Sequence, residues 1–362
     1  MPRSDSAPDA RPALLGLDAD RFLETTHAAV AKAGEPRYRA DQLRRWIFER
    51  TPDSFDEMLD LPRALRERLD ADFVLHPLRY DLDQKSVDGT LKVLWRRSAR
   101  HRESGPLESV MIPDGDRVTY CISTQSGCPV KCTFCATGHG GFTGNLDAAE
   151  IVDQVLQMRT RTGIAPTNLV YMGMGEPLLN YDAVARSLDI LTHDSQVRFG
   201  ARRITVSTVG VPDRIRQLGR EFPQVKLALS LHAACDDLRD ELIPLNRKHR
   251  LAEVLDAVRE HGRVSGKKVT FEYVILPGVN DRDEDIVDIA RRVRGIPSRI
   301  NLIGFNPFEG APYEKPRLAS ILGFRDRLAA RFDGAITLRR SRGEDIQGAC
   351  GQLSLARGHS GH

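Results

Sequence analysis

The chain of 362 residues has no stretch of about 18 or more uncharged apolar residues, which leaves no candidate transmembrane helix and no expected membrane partner. Its first residues, Met1 to Arg11, are rich in Ser, Pro, Asp and Ala and have no apolar core. They do not read as a secretory signal, and a cytoplasmic protein is expected. An excess of one charge is also missing, because 53 Lys and Arg face 50 Asp and Glu. A net charge of +3 is too small to argue for RNA or DNA, so such a partner has to be argued from local clusters or motifs. Internal repeats are absent, and so are low-complexity tracts beyond the leader. The six cysteines are too few for a disulfide scaffold in a long, apparently cytosolic chain.

What is present is an ordinary globular composition, 41% hydrophobic and 28% charged. The length suggests about two domains, a large core with a smaller module beside it. Residues 1–15 are expected to be a disordered leader and residues 354–362 a flexible tail. Residues 16–78 read as helical. Leu43, Trp46 and Ile47 share one helix face, and Leu59, Leu61, Leu65 and Leu69 suggest a short helix after Pro62. This segment carries Arg37, Arg39, Arg44, Arg45, Arg50, Arg63, Arg66 and Arg68. They form either a solvated face or a phosphate-contacting module. Residues 79–116 read as strands joined at Asp88-Gly89 and Asp114-Gly115, a connector before the main domain.

From residue 117 to 353 strands and helices alternate. "RVTYCIS", "TNLVYMGMG", "RRITVST", "QVKLALSLH", "KVTFEYVIL" and "RINLIGFNPF" are strand-like. The helices that follow them are Ala148–Arg159, Tyr181–Leu191, Pro212–Leu218, Leu251–His261, Asp283–Arg294 and Leu318–Arg331. A last strand, "ITLRR", closes the series. Alternation of this kind argues a parallel sheet with outer helices. Six units fall short of the eight of a closed barrel, so the expected fold is α/β with a partial (β/α)6 barrel.

The cysteines carry the chemistry. Cys128, Cys132 and Cys135 crowd into eight residues just after the first barrel strand, the end where barrel enzymes keep their reactive groups. Three closely spaced thiolates suit an iron–sulfur cluster with one iron left open. Structural zinc needs a fourth ligand, for which His139 is the candidate, and inert core cysteines are the bland alternative. Gly173 to Pro177, "GMGEP", ends the second strand. Its glycines permit close backbone approach to a ligand.

C-x-x-x-C-x-x-C with Phe134 before the last Cys resembles the motif of radical S-adenosylmethionine (SAM) enzymes. The resemblance implies a radical-SAM barrel, a 4Fe-4S cluster on the three thiolates, and SAM on the open iron. SAM cleavage there would give a 5′-deoxyadenosyl radical, and Glu176 would hold the SAM amino group. "CISTQSGCPVKCTFCATG", "YMGMGEPLLNYD", "ITVSTVG", "LALSLHA", "FNPFEGAPYEKP" and "RRSRGEDIQGACGQL" together resemble the RlmN/Cfr family of RNA methyltransferases, over about residues 37–353. "DGTLK" and "YRADQLRRWIF" also look like elements of that family.

The resemblance implies roles for further residues. Cys350 would carry the methyl group as S-methylcysteine, made with one SAM, while a second SAM supplies the radical. Cys121 would resolve the RNA adduct by forming a disulfide with Cys350, and an external reductant would reset it. Glu108 would be the general base. Gly175, Glu176, Ser207, Ser230, Leu231, His232 and Asn306 would contact SAM. Without the resemblance, Cys350 and Cys121 read as small buried hydrophobes, His232 as a satisfied core histidine and Glu108 as a surface carboxylate. Cys235 matches no role. The implied substrates are adenosines of 23S rRNA and of certain tRNAs, methylated at C2, with C8 as the alternative. The implied partners are RNA, an electron donor and a disulfide reductant, and a monomer is expected. Arg202-Arg203, Arg247 to Arg250, and Arg339, Arg340 and Arg342 would form a phosphate-binding rim for a flipped base.

Overall fold

The computed structural model describes residues 11–97 and 105–354. Most of the expected leader and tail lies outside them. The described end of the leader is packed rather than loose. Ala13 bridges to Val74, and Leu14 and Leu15 are buried. Two adjacent leucines gain too much by leaving water for the fold to begin after them.

Three helices come first, α1 (Ala19–Lys32), α2 (Arg39–Arg45) and α3 (Arg63–Asp72). Asp18 caps α1 by accepting from the Arg21 N–H, and Pro62 precedes the first turn of α3, where a missing N–H costs nothing. Leu65 and Leu69 are buried, whereas Leu59 lies outside the helix and is 78% exposed. The arginines of this module are largely spent on neighbours. Arg39 pairs with Glu35, Arg44 with Glu49, Arg63 with Glu67 and Arg68 with Asp72.

Next come the antiparallel strands β1 (Leu78–Lys85), β2 (Leu91–Arg97) and β3 (Leu107–Asp114), then β4 (Arg117–Cys121). A hairpin of β5 (Gln125–Gly127) and β6 (Phe142–Asn145) brackets the short helix α4 (Ala136–His139), and α5 (Ala148–Thr162) follows. The alternation then runs β7 (Asn168–Tyr171), α6 (Tyr181–Thr192), β8 (Ile204–Thr208), α7 (Pro212–Glu221), β9 (Lys226–Ser230), α8 (Asp236–Leu242), α9 (Leu251–Ser265), β10 (Val269–Ile275), α10 (Asp283–Val293), β11 (Ser298–Gly304), α11 (Leu318–Ala329) and β12 (Ala335–Arg339). The main sheet has ten strands in the order β1-β2-β3-β4-β7-β8-β9-β10-β11-β12. From β4 onward all pairings are parallel, and β1 to β4 pair antiparallel. The sheet is not closed, because β1 and β12 stand at its two ends. The expected six-unit open barrel is therefore present, and the strand connector continues its sheet. Among the described residues no helix is long and apolar enough to cross a membrane.

Helix α5 ties the parts together. Glu150, Asp153, Gln154 and Gln157 lie at helical spacing and are buried. Such a stripe is tolerable only if every member finds a partner. Glu150 receives two hydrogen bonds from Arg97 on β2, at 2.7 and 2.6 Å. Asp153 meets His76 at 2.6 Å and accepts from the Leu78 N–H at 3.0 Å. Gln154 accepts from Ser109 Oγ on β3 and from the Ser123 N–H after β4. Gln157 donates to the Leu78 carbonyl. The helix thus packs under the antiparallel extension by hydrogen bonds as well as by its apolar face.

Candidate active site

At the carboxyl ends of the parallel strands lies a cavity enclosing about 1200 Å³ of empty space, its mouth included. Its wall carries Cys128, Cys132 and Cys135 together with Cys121 and Cys350. Five of the six thiols of the chain therefore share one space, and Cys235, at the start of α8, is not among them.

The cysteine loop is held from three sides. The Cys128 N–H donates to the Gly141 carbonyl, the Thr133 N–H to Leu242, and the Ala136 N–H to Gly351. Gly127 precedes it at φ +73°, and a Cβ there would stand 1.8 Å from the Gly141 carbonyl oxygen. No other residue fits that position. Burial pushes the Cys128 thiol up to about 12 and raises Cys132 well above its ordinary range. Thiols so placed stay protonated unless a cation replaces the lost solvation, and a bound metal does this. The three thiols share the cavity without meeting at a ligating point, since among the described residues no three His, Cys, Asp or Glu side chains do so. The donor set, three sulfurs facing a space with room for a further ligand, fits an iron–sulfur cluster. His139 Nε2 donates to the Thr133 carbonyl, 3.0 Å away, and does not line the cavity, so the zinc reading loses its fourth ligand.

The wall facing these sulfurs comes from the ends of β7 to β11. Gly175 adopts φ +102°, and a Cβ on it would lie 2.6 Å from the Gln125 side chain. Glu176 is buried; its Oε1 accepts from the Leu178 N–H at 2.9 Å and its Oε2 from the Val209 N–H at 2.8 Å. Burial raises its pKa, and these N–H donors oppose the rise. Ser207 and Ser230 line the cavity with their hydroxyl oxygens 3.4 Å apart. His232 Nδ1 accepts from the Val274 N–H at 3.0 Å, and burial holds its pKa down to about 3. The ring is therefore neutral, with Nε2 carrying the proton, and it packs edge-on to Phe134. Leu231 is fully buried and does not line the cavity. Its backbone is what it offers, its N–H donating to Glu272 and its carbonyl accepting from Arg239. Asn306 lines the cavity, but its amide is engaged, donating to the Cys350 carbonyl and accepting from Ser341.

Cys350 is solvent-accessible, and the solvent it meets is that of the cavity. Cys121, at the end of β4, is buried and lines the same space, where burial pushes its thiol up to about 12. Burial also raises Cys350. The Arg339 guanidinium opposes both shifts, and the two thiols and Glu272 in turn favour its charged form. Arg339 is half-buried and lines this cavity.

Glu108 is buried, not a surface carboxylate, and does not itself line the cavity. Its Oε1 is 3.2 Å from Lys92 Nζ, and its Oε2 accepts from the Ser354 N–H at 3.1 Å. Ser354 follows Leu353, which does line the cavity. Burial raises the Glu108 pKa, and Lys92 counters it.

A second cavity opens at the amino-terminal ends of the strands and meets the first at Met172, Ile303, Arg339 and Cys350. It is lined by Arg117, Lys226, Arg299, Arg340 and Arg342, against Asp114 and Glu272. Arg202, Arg203 and the stretch Arg247 to Arg250 line neither cavity. Of the expected rim residues, Arg339, Arg340 and Arg342 line the second cavity, beside Arg117, Lys226 and Arg299.

Two residues were not singled out by the sequence reading. Arg239 is buried and donates to the carbonyls of Val209, Ser230 and Leu231 and to Asn246. It gathers the ends of β8 and β9 around the site, and no local motif distinguishes it from its neighbours. Lys92 stood within "DGTLK", so the motif was visible but its contact with Glu108 was not.

Residues 122–290 match the Radical SAM superfamily, and residues 14–75 match the ribosomal RNA large subunit methyltransferase N-terminal domain. A dual-specificity RNA methyltransferase RlmN of Anaeromyxobacter sp. (strain Fw109-5) is 45% identical over 365 residues, covering 99% of this chain and 94% of that protein. A probable dual-specificity RNA methyltransferase RlmN of Thermotoga maritima is 45% identical over 341 residues, covering 93% and 97%. The crystal structure of a radical SAM methyltransferase from Sphaerobacter thermophilus superimposes with a TM-score of 0.88 at 43% identity, covering 95% of this chain and 99% of that one.

Proposed function

The chain belongs to the RlmN family of radical SAM RNA methyltransferases, and from that premise we propose that it methylates C2 of adenosine in 23S rRNA and in certain tRNAs through Cys350. The observation that carries this reading is the position of Cys350 at the junction of the two cavities. One holds the three cluster thiols; the other has a basic lining suited to an RNA backbone.

Cys128, Cys132 and Cys135 would hold the 4Fe-4S cluster, with SAM bound against Gly175, Glu176, Ser207, Ser230 and His232. When bound, that pair supplies a carbon radical able to take a hydrogen atom. Glu176 accepts from two backbone N–H groups, which keeps its carboxylate in place to receive an ammonium group. Neutral His232 can donate from Nε2 without adding charge. Asn306 serves the site by holding the Cys350 backbone.

Adenine C2 is a poor nucleophile, so an ordinary methyl transfer is slow there and a covalent detour on Cys350 is useful. Cys350 first takes a methyl group on sulfur. After loss of a hydrogen atom, that carbon would bond to adenine C2; Glu108 would accept the proton that C2 gives up, and the odd electron left on the ring would pass to a one-electron acceptor, a role the bound cluster could supply. The Cys121 thiolate then attacks the Cys350 sulfur. A disulfide forms, the carbon–sulfur bond breaks, and its electron pair takes up a proton on the new methyl group. The Arg339 charge favours both thiolates. An external reductant returns the disulfide to thiols.

Mass spectrometry of RNA nucleosides after reaction with the reconstituted enzyme tests this. The wild type should yield 2-methyladenosine, and Cys350→Ala should yield none while retaining its iron and sulfide. Full turnover by that variant would refute the covalent step. A digest holding 8-methyladenosine alone would replace C2 by C8.

A further inference from the structure

The segment that carries Cys350, residues 340–354, has almost no regular structure of its own. One turn of 3-10 helix, Glu344–Ile346, is all it contains. Gly343, Gln347 and Gly351 take left-handed φ of 67°, 51° and 82°. Such a loop has many accessible shapes, yet its thiol must meet SAM, an adenine carbon and Cys121 in turn. Misplacement by about 1 Å at a reacting atom can cost ~100-fold in rate. Something outside the loop has to hold it.

The carboxyl half of the loop is held from within the barrel. Asn306 Nδ2 donates to the Cys350 carbonyl, Gln352 Nε2 to the Pro307 carbonyl and Thr137 Oγ1 to the Leu353 carbonyl. The amino half is held from outside the barrel, by the turn between β1 and β2. Ser86 Oγ donates to Asp345 Oδ1 at 2.6 Å, and the Val87 N–H donates to Asp345 Oδ2 at 3.2 Å. In return the Gly343 N–H donates to Asp88 Oδ2 at 3.0 Å. The other Asp88 oxygen accepts from the Thr90 N–H at 2.9 Å, which fixes the turn. Thr90 closes against Gly343, where a Cβ would meet its methyl group at 2.8 Å. Lys92, next along β2, reaches toward the Gln347 carbonyl at 3.5 Å.

We infer that the β1–β2 turn is a positioning clamp for the Cys350 loop, with Ser86, Asp88 and Asp345 as its positioning residues. The contacts are reciprocal, an acid from each side accepting from the backbone of the other, and they join segments more than 250 residues apart in sequence. Ser86 is only 5% exposed, while Asp345 lies at the surface, so the clamp closes on the protein's exterior around one buried hydroxyl. The antiparallel extension thereby contributes to the reaction without touching a substrate. This inference rests on the reading that Cys350 carries the methyl group.

The test uses the full-length reconstituted enzyme and the variants Ser86→Ala, Asp345→Ala, their double mutant and Ser86→Thr, which restores the hydroxyl. Hydrogen exchange is followed on peptides covering residues 340–354, beside single-turnover methyl transfer, the KM for SAM and RNA affinity. Each single variant should exchange at least tenfold faster in that loop and transfer methyl at least tenfold more slowly. The KM for SAM and the RNA affinity should stay within twofold of wild type. The double mutant should be no worse than the worse single mutant, and Ser86→Thr should recover most of the rate. Unchanged exchange in the loop, or faster exchange with the rate intact, overturns the clamp. Normal methylation by Cys350→Ala would instead overturn the reading beneath it, and exchange would still report on the docking itself.

Discussion

Lys92→Met probes the proposed role of Glu108 as the base. The two side chains are nearly fully buried, and the charged atoms are 3.2 Å apart. At an effective dielectric of ~20, two unit charges at that distance attract by about 5 kcal/mol. One pKa unit corresponds to about 1.4 kcal/mol. Losing even part of that attraction raises the Glu108 pKa further, in the direction burial already pushes it. The direction follows from the role. A base works when deprotonated, so the rate falls as pH drops through its folded pKa, and a higher pKa moves that fall to higher pH. The variant should therefore show the acid limb of single-turnover methyl transfer displaced upward by about one to two pH units. Lys92→Arg, which keeps the cation, should leave the limb within a few tenths of a unit. Rapid quench from pH 5.5 to 9 with RNA in excess measures it. An acid limb at the same pH in wild type and Lys92→Met would refute the reasoning. Asp345→Ala slows the reaction without moving the limb, which separates charge from positioning.

Two further outcomes concern stability. His261 is buried with both ring nitrogens unpartnered, and burial holds its pKa at about 4 against 6.5 in the open chain. Between those values the unfolded chain binds a proton that the folded one refuses, so stability falls as pH drops from 6.5 toward 4. His261→Leu should remove up to about 2 kcal/mol of acid destabilisation at pH 5, read as the difference in urea midpoints between pH 7.5 and 5; equal differences in the two proteins would refute it. Arg97→Met strands the buried Glu150 carboxylate and should cost about 3–5 kcal/mol by denaturant unfolding, with much of it recovered in the double variant that also carries Glu150→Met; a loss under about 1 kcal/mol would refute it.

Much of the barrel could be read from the chain, because each strand is a short apolar run followed by a helix with a 3.6-residue repeat. The cluster cysteines were legible for a different reason, since their spacing alone places them on one loop. Cys121 and Cys350 were not legible by physics. Their shared cavity depends on β4 and the end of β12 facing one interior, and 228 intervening residues separate them. Family resemblance supplied what pattern could not. Arg339, beside Arg340, reads as surface charge, but it is half-buried and lines the cavity. Leu231 was named as a contact, and the fold gives it only backbone groups to offer. α5 concealed itself most. Its buried face is polar, so hydrophobic periodicity says nothing about which strands lie over it.

That helix also sets where the protein can be cut. Glu150, Asp153, Gln154 and Gln157 find partners on the segment from His76 to Ser109 as well as on the barrel. A fragment starting at Arg117 would keep the residues proposed to hold cluster and SAM yet strip these groups of Arg97, His76, Ser109 and the Leu78 backbone. Each buried polar group so stranded costs about 1–3 kcal/mol, and a charged one more, which together rivals the ~5–15 kcal/mol that holds a typical domain folded. The catalytic barrel is therefore not a transplantable cassette. Shuffling between relatives has to carry the extension and α5 together as one inherited unit.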